Sequence, residues 1–147
     1  MKKDRKNIIL ESLAAMLEEK NMSKITTASL AEKSNITEAA LYRHFPSKRS
    51  IYAELFSFCD DTIFAKCNEL KKEKISAQEK VKKIFIFFML FIEKNKGFAR
   101  LLSREALSSD EQNVSDSVNQ FYERFELILR QMLKEDEKNL TTQAGIS

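Results

Sequence analysis

The chain has 147 residues, 43% of them hydrophobic and 32% charged, with a net charge of only +3. That composition fits one globular domain, or a small domain fused to part of a second. The longest uncharged apolar run, Ile84 to Ile92, is closed by Lys83 and Glu93, and a spanning helix needs about twenty residues, so no membrane segment is expected. Met1-Lys2-Lys3 leads into alternating charged and apolar residues, not an apolar block with a cleavage site, which makes the cytoplasm the expected address. Two glycines and one proline leave few breakers, so the fold is expected to be all-α. Residues 1–50 carry a net charge of +4 and residues 51–147 a net charge of −1, as expected if the first third meets phosphate.

From Asp4 to Lys20, the apolar stripe Ile9, Leu10, Leu13, Ala14 and Leu17 predicts an amphipathic helix ended by Asn21-Met22-Ser23. Thr27 is the predicted cap of a short helix through Lys33, with Leu30 and Ala31 inward. Ser34-Asn35-Ile36 reads as a tight turn, because Asn accepts the left-handed conformation. Thr37 then caps a second short helix, Glu38 to His44, which Pro46 stops. Ser47 opens a long helix from Lys48 to about Lys74, and Ser76 with Glu79 forms a capping box for the helix carrying Ile84 to Ile92. Gly97 interrupts, Phe98 to Leu107 forms a short helical piece, and Ser108-Ser109-Asp110 is a polar break. Val114, Val118, Phe121, Phe125, Ile128, Leu129, Met132 and Leu133 trace a seventh helix. No strand is predicted. The expected division is 1–47 for a three-helix unit, 48–138 for a helical bundle, and 139–147 for a disordered tail.

The span Thr27 to His44 has the requirements of a helix-turn-helix: a small residue at the crossing, Ala31, and a turn residue tolerant of positive φ, Asn35. Ile36, Leu30, Ala40 and Leu41 fill the space beneath. The second helix is then free to enter a major groove about 12 Å wide. The lone histidine, His44, leaves a catalytic dyad or His-based metal site without partners. Cys59 and Cys67 are read as small buried hydrophobes. No glycine-rich phosphate loop, metal-ligand spacing or nucleophile-base pair is present, so neither an enzyme nor a cofactor is expected.

Thr37-Glu-Ala-Ala-Leu-Tyr-Arg-His-Phe-Pro-Ser-Lys48 resembles the signature of TetR-type repressors. Within that family the chain is similar to the nucleoid-occlusion factors of gamma-proteobacteria, through Ile9-Leu-Glu-Ser-Leu-Ala-Ala-Met-Leu-Glu18, Ile25-Thr-Thr27, Glu93-Lys-Asn-Lys-Gly97, Arg100-Leu-Leu102, Asn119-Gln-Phe-Tyr-Glu-Arg-Phe-Glu126 and Leu129-Arg-Gln-Met-Leu133. The resemblance implies that Thr26, Tyr42, His44 and Lys48 contact DNA phosphates. It puts Thr37, Glu38, Ala39 and Arg43 on or beside the reading face, and Thr27 with them at the DNA. Lys48 at the head of a long helix suits a phosphate clamp. Arg43 suits a bidentate guanine contact or a solvated or phosphate-facing charge, and Tyr42 suits edge packing, a hydroxyl turned to phosphate, or both together. Lys2, Lys3, Arg5 and Lys6 form a basic arm that either brushes the backbone or stays solvated.

The resemblance further implies that DNA-bound copies catch FtsZ, the tubulin-like division protein, on Phe58, Lys66, Phe87, Leu90, Lys94 and Asn95. The apolar members of that set also read as core residues. Lysines beside a Phe-lined groove suit an acidic-to-apolar tail. Lys94 and Lys96 stand where the resembled factors have arginine and proline, and Leu90 and Ile92 replace expected glycines. TetR-type chains are usually longer, with two further helices that make the homodimer. This chain therefore reads either as a C-terminally truncated form or as one that dimerises through another surface, and without those helices Phe85, Phe87, Phe88 and Phe91 are expected to leave apolar area uncovered. A ligand-responsive repressor with a pocket among the Phe-rich helices is the alternative reading.

Overall fold

The computed structural model describes residues 4–19 and 24–145, with side chains to Lys138. The predicted arm at Lys2 and Lys3 and the helix stop at Asn21-Met22-Ser23 lie outside the described residues. Among the described residues seven α-helices follow one another: α1 Arg5–Glu18, α2 Thr27–Lys33, α3 Glu38–His44, α4 Lys48–Lys71, α5 Ala77–Lys94, α6 Lys96–Leu102 and α7 Gln112–Gly145. No strand occurs among the described residues. A single 3-10 turn, Ser109–Glu111, precedes α7.

Most helix starts follow the side-chain chemistry of their caps. Thr37 Oγ1 accepts from the Ala40 N–H at 3.1 Å, and Ser47 exchanges hydrogen bonds with Ser50 to form a capping box at α4. At α5, Ser76 Oγ accepts from the Glu79 N–H at 3.2 Å, one half of the expected box. The α2 cap differs from expectation. It is Thr26, not Thr27, because Ser29 can answer Thr26 three residues on, whereas Leu30 has nothing to offer Thr27. Asn35 has φ 58°, the left-handed turn expected of it.

Four boundaries moved. α4 closes at Lys71, three residues short, where the Lys72 N–H turns back to Glu69 and Leu70 carbonyls in a tightened last turn. The break between α5 and α6 falls at Asn95, φ −125°, and Gly97 lies inside α6. α6 then ends at Leu102, short of the expected Leu107, and Arg104 follows with φ 64°. Finally, α7 continues to Gly145, where residues 139–147 were expected to be disordered. A helix already nucleated gains a hydrogen bond with each added residue, and no proline intervenes before Gly145.

One apolar core runs through the molecule without a seam at residue 47. Ile9, Leu13, Leu30, Leu41 and Phe45 merge into Ile51, Tyr52, Phe56, Phe64, Phe98 and Phe121. Helix α1 is the shared element. Gly97 makes its approach to α6 possible: a Cβ there would lie 2.9 Å from the Ala14 carbonyl oxygen and 3.1 Å from Leu17 Cβ. Arg100 Nη1 donates to the Leu17 and Glu19 carbonyls, each at 2.6 Å, placing a cation on the negative end of the α1 dipole. Between α4, α5, α6 and α7 the rings of Phe56, Phe64, Phe88, Phe98, Phe121 and Phe125 contact one another at centroid distances of 5.4 to 6.3 Å. Cys59 and Cys67 are both buried, and burial pushes the Cys59 thiol up to about 12.

Candidate nucleic-acid interface

Helices α2 and α3 project from one end of this core. Leu30, Ala31, Leu41 and Phe45 are buried, and Ser34 Oγ in the turn donates to Ser12 Oγ of α1 at 3.0 Å. With its underside fixed, α3 turns Thr37, Glu38, Ala39, Tyr42 and Arg43 outward, all exposed. Tyr42 is 49% exposed, an edge residue half packed and half turned to solvent. His44 is half-buried at the end of the helix. Arg5, exposed at the start of α1, borders an open groove with Asn35, Ile36, Thr37 and Ala40. Lys6 lies with its ammonium 5.3 Å from the Phe45 ring centroid.

The hydroxyls of this face are not idle. Thr26 Oγ1 receives the Ser29 N–H at 3.0 Å and donates to Ser29 Oγ at 3.1 Å, so its predicted phosphate contact competes with its capping role. Thr27 Oγ1 donates to Glu38 Oε2 at 3.2 Å and lies 3.2 Å from the Tyr42 hydroxyl.

Lys48 departs most from expectation. Its ammonium is turned inward, 3.1 Å from Glu111 Oε1, and lies 5.6 Å from the Tyr52 ring centroid. Glu111 is buried and also accepts from the Ser108 N–H at 3.0 Å and from the Ser108 hydroxyl. Burial works against its charge, but the Ser108 bonds and Lys48 outweigh it and hold the carboxyl below its ordinary value of 4.5. Burial and the same carboxylate push the Tyr52 hydroxyl up. A free phosphate clamp at Lys48 is therefore not what the geometry presents. The attraction that overrides it is a buried carboxylate 63 residues further along, which no local pattern around Lys48 could announce.

The second predicted surface is partly assembled. Phe58 on α4 is 66% exposed and Leu90 on α5 is 52% exposed, so neither is a core residue. Lys66 Nζ lies 5.9 Å from the Phe87 ring centroid and 3.5 Å from Glu69 Oε1. Lys94 is exposed at the last position of α5, and Asn95 Nδ2 caps that helix by donating to the Phe91 carbonyl at 2.8 Å. Phe58 and Asn95 share an open groove of about 390 Å³ with Asn7, Leu10, Glu11, Ala14, Leu55 and Cys59. The α1 side of that groove escaped the sequence reading, because Leu10 and Ala14 sit on the stripe assigned to the core. Phe85 is exposed, while Phe87, Phe88 and Phe91 are half-buried. Among the described residues no group of acidic, His or Cys side chains could hold a metal ion, and no helix is long and apolar enough to cross a membrane.

Residues 9–55 match the family model of bacterial regulatory proteins of the tetR family. Residues 76–147 match a tetracyclin repressor-like C-terminal domain of the SlmA-like type. The chain is 38% identical over 135 residues to the nucleoid occlusion factor SlmA of Vibrio vulnificus, covering 91% of this chain and 69% of that one. To the SlmA of Marinobacter nauticus it is 35% identical over 136 residues, covering 92% and 70%. The SlmA of Vibrio cholerae gives 38% over 133 residues, covering 90% and 68%. A solved Clostridium perfringens chain named as a fatty acid metabolism regulator superposes with TM-score 0.70 at 19% identity, over 87% of this chain and 71% of that one. That likeness concerns the fold.

Proposed function

Because the chain belongs to the TetR family of bacterial regulatory proteins, in the group of the SlmA nucleoid occlusion factors, we propose that it binds sequence-specific sites on duplex DNA as a nucleoid occlusion factor. Bound there, it inhibits FtsZ ring assembly over the chromosome. Thr37, Glu38, Ala39 and Arg43 face the base edges, and Thr26, Thr27, Tyr42 and His44 face the phosphates, where contacts position the protein without reading sequence. A homodimer of the full-length form would place two α3 helices on a palindromic site. The protein then works in the cytoplasm, on the nucleoid, and its activity is binding and not catalysis.

The observation that carries this reading over a ligand-responsive repressor is the ring cluster between α4 and α7. Phe56, Phe64, Phe98 and Phe121 pack ring against ring there, and the open groove beside them, lined by Phe56, Asp60, Phe121 and Arg124, measures about 180 Å³, less than a small-molecule site ordinarily needs. Exposed apolar residues instead lie on α4 and α5, with Phe58, Leu90, Lys66 and Lys94 on an outward surface. An extended tail with acidic and apolar residues matches that chemistry. Purified FtsZ passed over immobilised chain, with and without bound DNA, tests the proposal. Retention that rises with DNA is expected, and no retention in either condition refutes the FtsZ assignment.

A further inference from the structure

The hydroxyls of Thr27 and Tyr42 and the carboxylate of Glu38 form a chain whose proton direction is fixed by chemistry. An ionised carboxylate only accepts, so the single Thr27 proton goes to Glu38 Oε2 at 3.2 Å. Thr27 Oγ1 then has only lone pairs for Tyr42, whose hydroxyl, 3.2 Å away, must be the donor. Both protons thus point inward. A phosphodiester, which also only accepts, meets two hydroxyls with nothing to donate and a negative charge behind them. Thr27 can turn to phosphate only when Glu38 releases it, whereas the Tyr42 hydroxyl need only leave Thr27, and the freed carboxylate then needs another donor. Base edges in the major groove offer one kind, the exocyclic amino group of cytosine or adenine. Glu38 is exposed one helical turn before the exposed Tyr42 on α3, where such a group would arrive.

We propose that Glu38 is a specificity-determining residue that makes the phosphate contact of Thr27 conditional on an exocyclic amino group in the groove. This inference rests on the DNA-binding reading above and adds a mechanism to it. On duplex lacking that donor, the carboxylate stays with Thr27 and repels the backbone, which suppresses non-specific binding. On the right sequence the same charge gains a hydrogen bond and frees the Thr27 hydroxyl for phosphate.

The test starts with in vitro selection of duplexes by the wild-type chain, followed by fluorescence anisotropy of the wild type, Glu38→Gln and Glu38→Ala on a selected duplex and a random one. Circular dichroism melts confirm that the variants, changed at an exposed position, stay folded. In the wild type, one position of the selected site should require cytosine or adenine, and duplexes with each base there decide which. Glu38→Ala should lose that preference by about tenfold or more, Glu38→Gln, whose amide oxygen still accepts from an amino group, should keep part of it, and both should bind the random duplex severalfold more tightly. Unchanged base preference, or equal weakening on both duplexes, overturns the proposal for Glu38 while leaving DNA binding intact. If the wild type enriches no sequence and binds neither duplex, the DNA reading itself fails, and Glu38's role with it.

Discussion

Lys48→Met keeps most of the side chain's apolar length and removes its charge, leaving Glu111 buried without its cation. Breaking one partner out of a buried pair costs about 3–5 kcal/mol. Here the Ser108 N–H and hydroxyl still hold the carboxylate, so the lower end, about 3 kcal/mol, is expected. Urea unfolding at pH 7 should show that loss as a lower midpoint with an unchanged slope. The double variant Lys48→Met, Glu111→Gln should recover at least half of it, since no charge is then left uncompensated. The pH dependence has a defined sign. Glu111 titrates below 4.5 in the folded chain, so its stabilisation is complete above that value and is lost as pH falls through the lower folded one. The gap between wild type and Lys48→Met should close over that range. Because the ammonium is spent on Glu111, the dependence of DNA affinity on salt should keep its slope in Lys48→Met. A phosphate clamp would lose about one unit. A variant as stable as the wild type at pH 7, or a slope reduced by one, refutes the inward pairing.

Gly97→Ala should destabilise by about 1–3 kcal/mol, although alanine in a helix ordinarily gains about 1 kcal/mol over glycine, because the new methyl meets the Ala14 backbone carbonyl at 2.9 Å; a raised melting temperature would show that α1 and α6 are not in close contact. Thr26→Ala removes the α2 cap and should cost about 1 kcal/mol in urea unfolding, so its DNA affinity must be compared at a matched folded fraction, and unchanged stability would deny the cap. Arg43→Ala should weaken binding to a selected duplex by about 1–3 kcal/mol and reduce discrimination at one base pair, whereas equal loss on random duplex would make Arg43 a phosphate contact. Lys94→Glu should leave DNA affinity intact and abolish retention of FtsZ; retention at the wild-type level would displace the proposed groove.

What could be read along the chain was whatever acts over a few residues. Apolar spacing at three and four positions gave the helix count and the all-α class, and Ser or Thr before each apolar run gave most of the starts. Asn35 marked the turn, and the span Thr37 to Lys48 marked the family. At the α2 cap, too, the deciding contact is local, because Ser29 completes a box with Thr26 and not with Thr27.

The rest was decided by side chains that meet across long stretches of sequence. Arg100 finds the carbonyls at the end of α1, Gly97 admits Ala14 and Leu17, and Glu111 draws Lys48 away from the surface. Nothing near Lys48 foretells that outcome, because a buried carboxylate outcompetes solvent for an ammonium only once the fold has removed water from between them. Periodicity says which face of a helix is apolar, but not what will cover it. That is why Phe58 and Leu90 could be read as core or as surface until neighbouring helices were in place, and why the exposed side of α3 became a specific arrangement of donors and acceptors only in three dimensions.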